Sequence, residues 1–438
     1  MHILDLPKRD HSNGWSRILP ERKVHMPLKE DEPADWVVVG AGYAGLAAAR
    51  RLAENAPNDR IIVLEALEAG ENASGRNSGF GIDLPHVVGS AQDDLSVAHA
   101  HLRLSRTALK YLEGIVEEHG IECDWSRAGK YHAAVTPRGE AEMLAPFIDM
   151  LKTLDEPHRI LDRAATAKAL GTAYYHASVY TPGDVLVNPA ALTRGLADTL
   201  PENVTVHEHS PVLEFTRDGG INLRTPRAIV RAPRMILAVN GHAPKFGFWK
   251  RHLLPFSAHA SLTRPLTDKE HQALGGVEPW GVTPVNAFVS TTMRYTTDRR
   301  IMIRYLLRYC PSQLAPEGEL AEVRAAHERV LRGRFPMLPE VTIDHTWTGY
   351  VCLSRNNAPG FGRIEDNIWS AVCCNAVGIT KATIAGMLVA DLACEVDNPL
   401  IADMDDLGKP QPLPPRPFLD VGVRVRNAWD MWRGSKEY

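Results

Sequence analysis

The run VVVGAGYAGLAAARRL, residues 37–52, places Gly40, Gly42 and Gly45 in the spacing G-x-G-x-x-G, between an apolar segment and a helix-forming one. Each glycine answers a different steric demand: a sharp turn, close approach of backbone to a ligand, and close packing of helix on strand. The N–H groups of the first helical turn, around Ala44, join the positive end of the helix dipole to form a seat for a pyrophosphate. Twenty residues beyond Gly45, Glu65 closes a second apolar run, RIIVLEA, just ahead of Ala66. A carboxylate at that distance bonds the hydroxyls of an adenosine ribose. A glycine-rich turn in an ordinary α/β domain would leave Glu65 unexplained, so the expected chemistry is the binding of an adenine dinucleotide.

The elements that must hold these residues are legible nearby. DWVVVG is short, apolar and β-branched, the composition of a buried parallel strand. AGLAAARRLAE, rich in Ala and Leu, reads as the helix, and RIIVLEA as a second strand. ENASGRNSGFGIDLPH, residues 71–86, follows directly. Its small residues let backbone lie flat against a large planar ring, while Ser74, Arg76 and Asn77, with Ser78 and Gly79 after them, offer polar contacts. A nicotinamide dehydrogenase would continue into a third regular strand–helix unit here, so the irregular stretch favours FAD.

The whole chain bounds these readings. Its 438 residues, 44% hydrophobic, suffice for two or three folding units. A formal net charge of −4 leaves no excess of Lys and Arg for nucleic acid. No run approaches the roughly 18 apolar residues of a membrane span, and the first residues lack a signal-peptide pattern. Six cysteines without a CxxC pair indicate reduced thiols in a cytoplasmic protein. Neither zinc-ligand spacing nor a Ser-His-Asp pattern is present, so no metal is expected.

Four stretches together resemble the D-amino-acid-oxidase-like flavoproteins, the group of glycine, sarcosine and γ-glutamylputrescine oxidases. They are the fingerprint with Glu65; ASGRNSGF; NPAALTRGLADTLPENVTVHEHSPV with RMILAVNGHAP; and WTGYVCLSRNNAPGFGRI with CNAVGITKATIAGMLVADL. The resemblance implies an α/β chain, α+β overall, with a Rossmann-like FAD-binding domain and a second, mixed-sheet substrate domain. The FAD domain would take residues 35–106, 186–241 and 345–398, and the substrate domain 107–185 and 242–344. An arm of residues 1–34 and a tail of 399–438 would flank them. Val212, Asn240, Gly241, Gly362, Ala376, Gly378, Ile379 and Thr380 are expected beside FAD. The implied reaction is hydride transfer from a small amine or amino acid to flavin N5, then hydrolysis of the imine, with oxygen, a quinone or an electron-transfer protein as acceptor. A flavin dehydrogenase acting on the C–O bond of a hydroxy acid, and an FAD-binding subunit without turnover, are the alternatives.

Departures from the family pattern select further residues. Where amino-acid oxidases often carry a carboxylate-clamping Arg, two residues after the W-x-G glycine, this chain has Val351. Arg304, alternating with Met302 in RIMIRY, is the candidate replacement, against the reading of an exposed strand arginine. The position of the flavin-linking Cys of sarcosine-oxidase-like members falls at Gly349, with Cys352 three residues on, so FAD is expected to be non-covalent. Cys374 and Ala376 stand where the family has glycines, and Lys381 is read as a helix-surface lysine. His86, His132 and Tyr350 could face the substrate; Trp347 and His259 fit core packing as well. The arm shows no hydrophobic periodicity and is expected to lie extended on the surface. The tail, with Trp429 and Trp432 among arginines, is expected to dock on its own subunit or a neighbour, as in a homo-oligomer, rather than on a membrane.

Overall fold

The computed structural model describes residues 1–85, 95–284, 291–316 and 318–433. The apolar run Trp36–Val39 is fully buried at the centre of a six-stranded sheet. The strand order is Gly360–Glu365, Ile368–Val372, Arg234–Leu237, Trp36–Val39, Ile61–Leu64, Val204–His207. All pairings are parallel except that of the outermost strand, Gly360–Glu365. Burial on both faces explains the unbroken Val and Ile runs, which show no alternation. Helix Tyr43–Asn55 covers one face together with Thr383–Ala393, and these two helices touch at Gly386, where an added Cβ would come 2.1 Å from the Ala44 carbonyl oxygen. Only a residue without a side chain permits that approach.

A mixed eight-stranded sheet forms the second unit, in the order Ile343–Ser354, Leu253–Thr263, Ile301–Tyr309, Thr292–Tyr295, Trp280–Pro284, Lys130–Ala134, Ala177–Thr181, Arg159–Leu161. The expected strands in GKYHAAVT and RRIMIRYLLRY are both in it. Strand Ile343–Ser354 pairs along its length with Leu253–Thr263, so the boundary expected at residue 345 cuts a strand of this sheet. The boundary expected at 106/107 falls inside helix Leu95–His119, which packs against both units. Among the described residues no helix is long and apolar enough to cross a membrane.

The arm is not an extended surface strap. Ile3, Trp15 and Leu28 are buried, Gly14–Arg17 is a helical turn, and Glu32–Pro33 joins a four-stranded sheet beside Ile229–Ala232. The absence of periodicity misled because the arm is held by isolated anchors. Trp15 packs edge-on against Trp347, and Arg9 and Arg22 reach the carboxylates of Glu68 and Glu208. The tail helix Phe418–Arg433 rests on the second sheet, with Tyr309 Oη donating to Asp420 at 2.9 Å.

Burial holds several histidines neutral. His101, His132 and His259 are pushed down to about 3 and His327 to about 4. An unfolded histidine takes up its proton near about 6.5. Between that value and the folded ones the unfolded chain binds more protons, so stability is lost as pH falls. Thermal melts followed by circular dichroism should show Tm dropping steadily as pH is lowered from about 6.5 towards 4; a flat Tm over that window would contradict the assignment.

Candidate active site

The glycine turn is sterically saturated on its inner side. Gly40 adopts φ +104°, and a Cβ there would stand 2.7 Å from the Ala238 carbonyl oxygen. A Cβ on Gly42 would meet Ser74 Oγ at 2.7 Å, and one on Gly45 would overlap the Gly40 carbonyl at 1.8 Å. No side chain caps the first turn of helix Tyr43–Asn55, whose N-cap is Gly42. The Glu65 carboxylate accepts from Ala41 N–H at 2.7 Å and Leu67 N–H at 3.0 Å, while burial raises its pKa. Gly40, Gly42, Glu65, Ala66, Ser74, Val212, Asn240 and Gly241 all line one cleft of about 900 Å³. A side-chain-free cradle at a helix N-terminus, with an acid across it, fits the diphosphate and ribose of an adenine dinucleotide. Ala44 and Gly45 lie behind the turn, where they close the helix onto its neighbours.

Residues 70–79 cross from this cleft to a second one with little regular structure, and side chains from elsewhere satisfy their carbonyls. Asn13 Nδ2 donates to Gly70 O at 3.0 Å and Gly75 O at 3.2 Å, and Trp15 Nε1 to Asn77 O at 2.9 Å. Trp347 Nε1 bonds Arg76 O at 3.0 Å. Buried Arg294 donates to Ser78 O, Gly79 O and Val187 O at 2.6–3.2 Å. The Arg76 guanidinium does not offer itself to a ligand, contrary to the sequence reading. It is spent on Asp10 at 2.6 Å and on the carbonyls of Glu71 and Thr348. The Asn77 amide likewise turns back onto Ala73 O and Ser74 O.

The second cleft, about 1090 Å³, meets the first at Ala73 and Tyr350, which line both. Asn77 and Ser78 form one wall, Ala258, Ala260, Thr292 and Arg304 another, and Ala376, Gly378 and Ile379 a third. Among the described residues its charged groups are arginines, with no Asp or Glu. Arg304 Nη2 donates to Thr292 Oγ1 at 2.7 Å, and burial lowers its pKa to about 10, which leaves it protonated at neutral pH. Tyr350 Oη accepts from Ala315 N–H at 2.7 Å, and burial pushes its pKa up to about 12. The third wall enters helix Thr383–Ala393 through a π-turn, Gly378–Ala382, a local form that recurs at functional sites. Ala376 holds φ +66° there, a left-handed conformation that costs a non-glycine residue about 1–2 kcal/mol.

Several expected residues lie elsewhere. His86 falls outside the described residues. His132 does not line the cleft: its ring packs on Phe147, with Nδ1 3.0 Å from Thr283 Oγ1, and Thr283 takes the wall position. Gly79 lies behind the wall with its carbonyl on Arg294, and the Thr380 hydroxyl donates to Ile82 O at 3.0 Å. Gly362, at φ +104°, belongs to the outer strand of the six-stranded sheet, away from both clefts. His259 faces away from the Ala258–Ala260 wall, 3.0 Å from Thr348 Oγ1. Trp347 is fully buried packing, and Lys381 is not a surface residue: its Nζ is buried and has no hydrogen-bond partner among the described residues. The sequence reading missed Arg294, and also Ile3 and Leu6 of the arm, which line the first cleft. A lone arginine in TMRY and two aliphatics in a polar leader carry no periodic signal.

Comparison with known proteins agrees with this geometry. Residues 35–392 match the family model described as FAD dependent oxidoreductase, DAO. The chain is 24% identical over 410 residues to a probable oxidoreductase, OrdL, of Haemophilus influenzae, covering 91% of each. It is 25% identical over 380 residues to γ-glutamylputrescine oxidoreductase of Escherichia coli, covering 83% of this chain and 84% of that one. The crystal structure of glycine oxidase from Geobacillus kaustophilus superposes with a TM-score of 0.69 at 19% identity, over 84% of this chain and 96% of that one.

Replacing Glu65 with Ala removes a carboxylate that both shapes the turn and lines the first cleft. The expected result is a Kd for FAD raised about 10- to 100-fold, the value of a hydrogen-bonded charge. Titration of the apoprotein with FAD checks it, and an unchanged Kd would remove Glu65 from the site.

Proposed function

Because the chain belongs to the family of FAD-dependent oxidoreductases, we propose that it oxidises a C–N bond in a small amine or amino acid that carries a carboxylate. Arg304 carries this reading: a buried, protonated guanidinium in a chamber whose described lining holds no acid. Such a chamber favours an anionic substrate group, since a planar guanidinium matches a carboxylate in two hydrogen bonds. A simple diamine would bring only positive charge into a low-dielectric space already holding arginine. The names of the relatives, glycine oxidase and γ-glutamylputrescine oxidoreductase, point the same way, for both substrates combine an amine with a carboxylate.

In this reading Gly40, Gly42, Glu65, Ser74 and Asn240 hold the nucleotide half of FAD, and Asn77, Ser78, Gly378 and Ile379 bracket its ring. Bound FAD supplies the hydride acceptor, its N5 atom. Arg304 then orients the substrate by its carboxylate, and Tyr350 lines the junction of the two clefts. The apolar walls at Ala258, Ala260 and Leu307 keep water from the reacting bond until the imine forms, after which water hydrolyses it. Non-covalent attachment of FAD is supported by the place of Cys352, which is buried beside Cys373 and Gly241 and does not line the second cleft. Oxygen, a quinone or an electron-transfer protein would reoxidise it.

Anaerobic mixing with amines, amino acids and hydroxy acids tests the reaction through bleaching of the flavin band near about 450 nm. Amino acids or carboxylated amines should bleach it. Bleaching by hydroxy acids alone would establish C–O chemistry, and none at all a binding role. Arg304→Leu should raise KM for the best substrate by about 10- to 100-fold with a smaller change in kcat; an unaltered KM would exclude Arg304 from substrate binding.

A further inference from the structure

Helix Phe418–Arg433 is amphipathic, and it is docked the wrong way round for a helix that stabilises its own subunit. Successive residues turn by about 100°, so Phe418, Val421, Val425, Trp429 and Trp432 fall on one narrow stripe. That stripe faces outward: Phe418 is 72% exposed, Val425 63% and Trp432 74%. The face turned to the protein is largely polar, with Asp420, Asn427 and Asp430 half-buried beside Leu419 and Val423. Asp420 accepts from Tyr309 Oη at 2.9 Å, and Asn427 Nδ2 donates to Leu307 O at 3.4 Å. The anchoring strand, Ile301–Tyr309, is the one that carries Arg304. Exposed arginines flank the stripe: Arg424 on one side, and on the other Arg426, whose guanidinium lies 5.2 Å from the Trp429 ring centre.

We propose that this helix is an interfacial anchor that lays the protein on an anionic lipid surface. Aromatic residues along an apolar stripe with arginines at its margins are the make-up of helices that lie in the headgroup region. The charge distribution gives the orientation. Residues 416–433 hold four arginines against two aspartates, whereas the whole chain carries −4, so an anionic surface attracts this helix and repels the remainder. A second copy of the chain is a poor occupant. Sixteen residues make a ridge about 24 Å long and 10 Å wide, about 240 Å² per partner, against about 800 Å² for a stable interface. A lipid surface needs no matching groove and accepts a convex ridge.

The test is co-sedimentation of the full-length, FAD-loaded protein with vesicles of mixed phosphatidylglycerol and phosphatidylcholine, and with phosphatidylcholine alone, alongside light scattering of the protein by itself. Binding to the mixed vesicles is expected, weakened by salt and about tenfold or more weaker on phosphatidylcholine alone. Val425→Glu and, separately, Arg424→Glu should each reduce it by about tenfold while flavin content and circular dichroism stay unchanged. The proposal is overturned by failure to bind either vesicle, by equal binding to both, or by variants that bind like the parent. A mass that doubles with concentration in the parent, and not in Val425→Glu, would give the stripe to a second copy and overturn it equally.

Discussion

Residues 70–79 hold only one short helical turn, Ala73–Arg76. Arg76 and Asn77 satisfy the carbonyls of Glu71, Ala73 and Ser74 from within. Those of Gly70, Gly75, Arg76, Asn77, Ser78 and Gly79 are met by donors from outside the segment. Each unsatisfied buried carbonyl would cost about 1–3 kcal/mol. Donors converge on the segment from three parts of the chain remote in sequence: Asn13 and Trp15 from the arm, and Trp347 and Arg294 from two different strands of the second sheet. Ser74 Oγ in turn accepts from Tyr43 N–H at 3.1 Å, which fixes the segment to the start of the first helix. The wall between the two clefts is therefore a product of the assembled fold. The small side chains that let the segment lie flat leave many of its carbonyls to donors from elsewhere in the fold.

This arrangement joins binding to chemistry. One end of the segment faces the glycine turn and Glu65, and the other faces the chamber with Arg304 and the π-turn at Gly378–Ala382. A ligand that fills both clefts reads the positions of all three donors groups at once. The N-terminal arm belongs to this machinery. It lines the first cleft through Ile3 and Leu6 and holds Arg76 through Asp10.

How much of this was legible in the sequence follows from how far each signal is local. The glycine spacing, Glu65 and the flanking Val and Ile runs lie within thirty residues, and the strands, helix and first cleft follow from them. The place of Arg304 on the wall of the second cleft was legible too, through the alternation of RIMIRY. The arm was not, because its anchors are hydrogen bonds spanning 57 to 62 residues and a Trp15–Trp347 contact, none of which leaves a period. Arg76 and Asn77 were placed correctly in the segment, yet their polar ends turn inward, since the backbone there needs them more than solvent does. His132 lies one layer behind the cleft wall, a distinction that strand alternation cannot make when a neighbouring strand intervenes. Lys381 was read as exposed because a lysine in a helix usually is, and the π-turn shifts the register that would have put it there.

The most direct measurement of the central dependence is FAD binding by Asn13→Ala, at a residue that touches neither cleft. Its loss leaves the Gly70 and Gly75 carbonyls without their side-chain donor. Titration of the apoprotein should give a Kd for FAD about tenfold above the parent value, in a protein whose circular dichroism is unchanged. A folded Asn13→Ala protein that binds FAD as tightly as the parent would contradict the account, for the segment would then hold its shape without the donors said to define it.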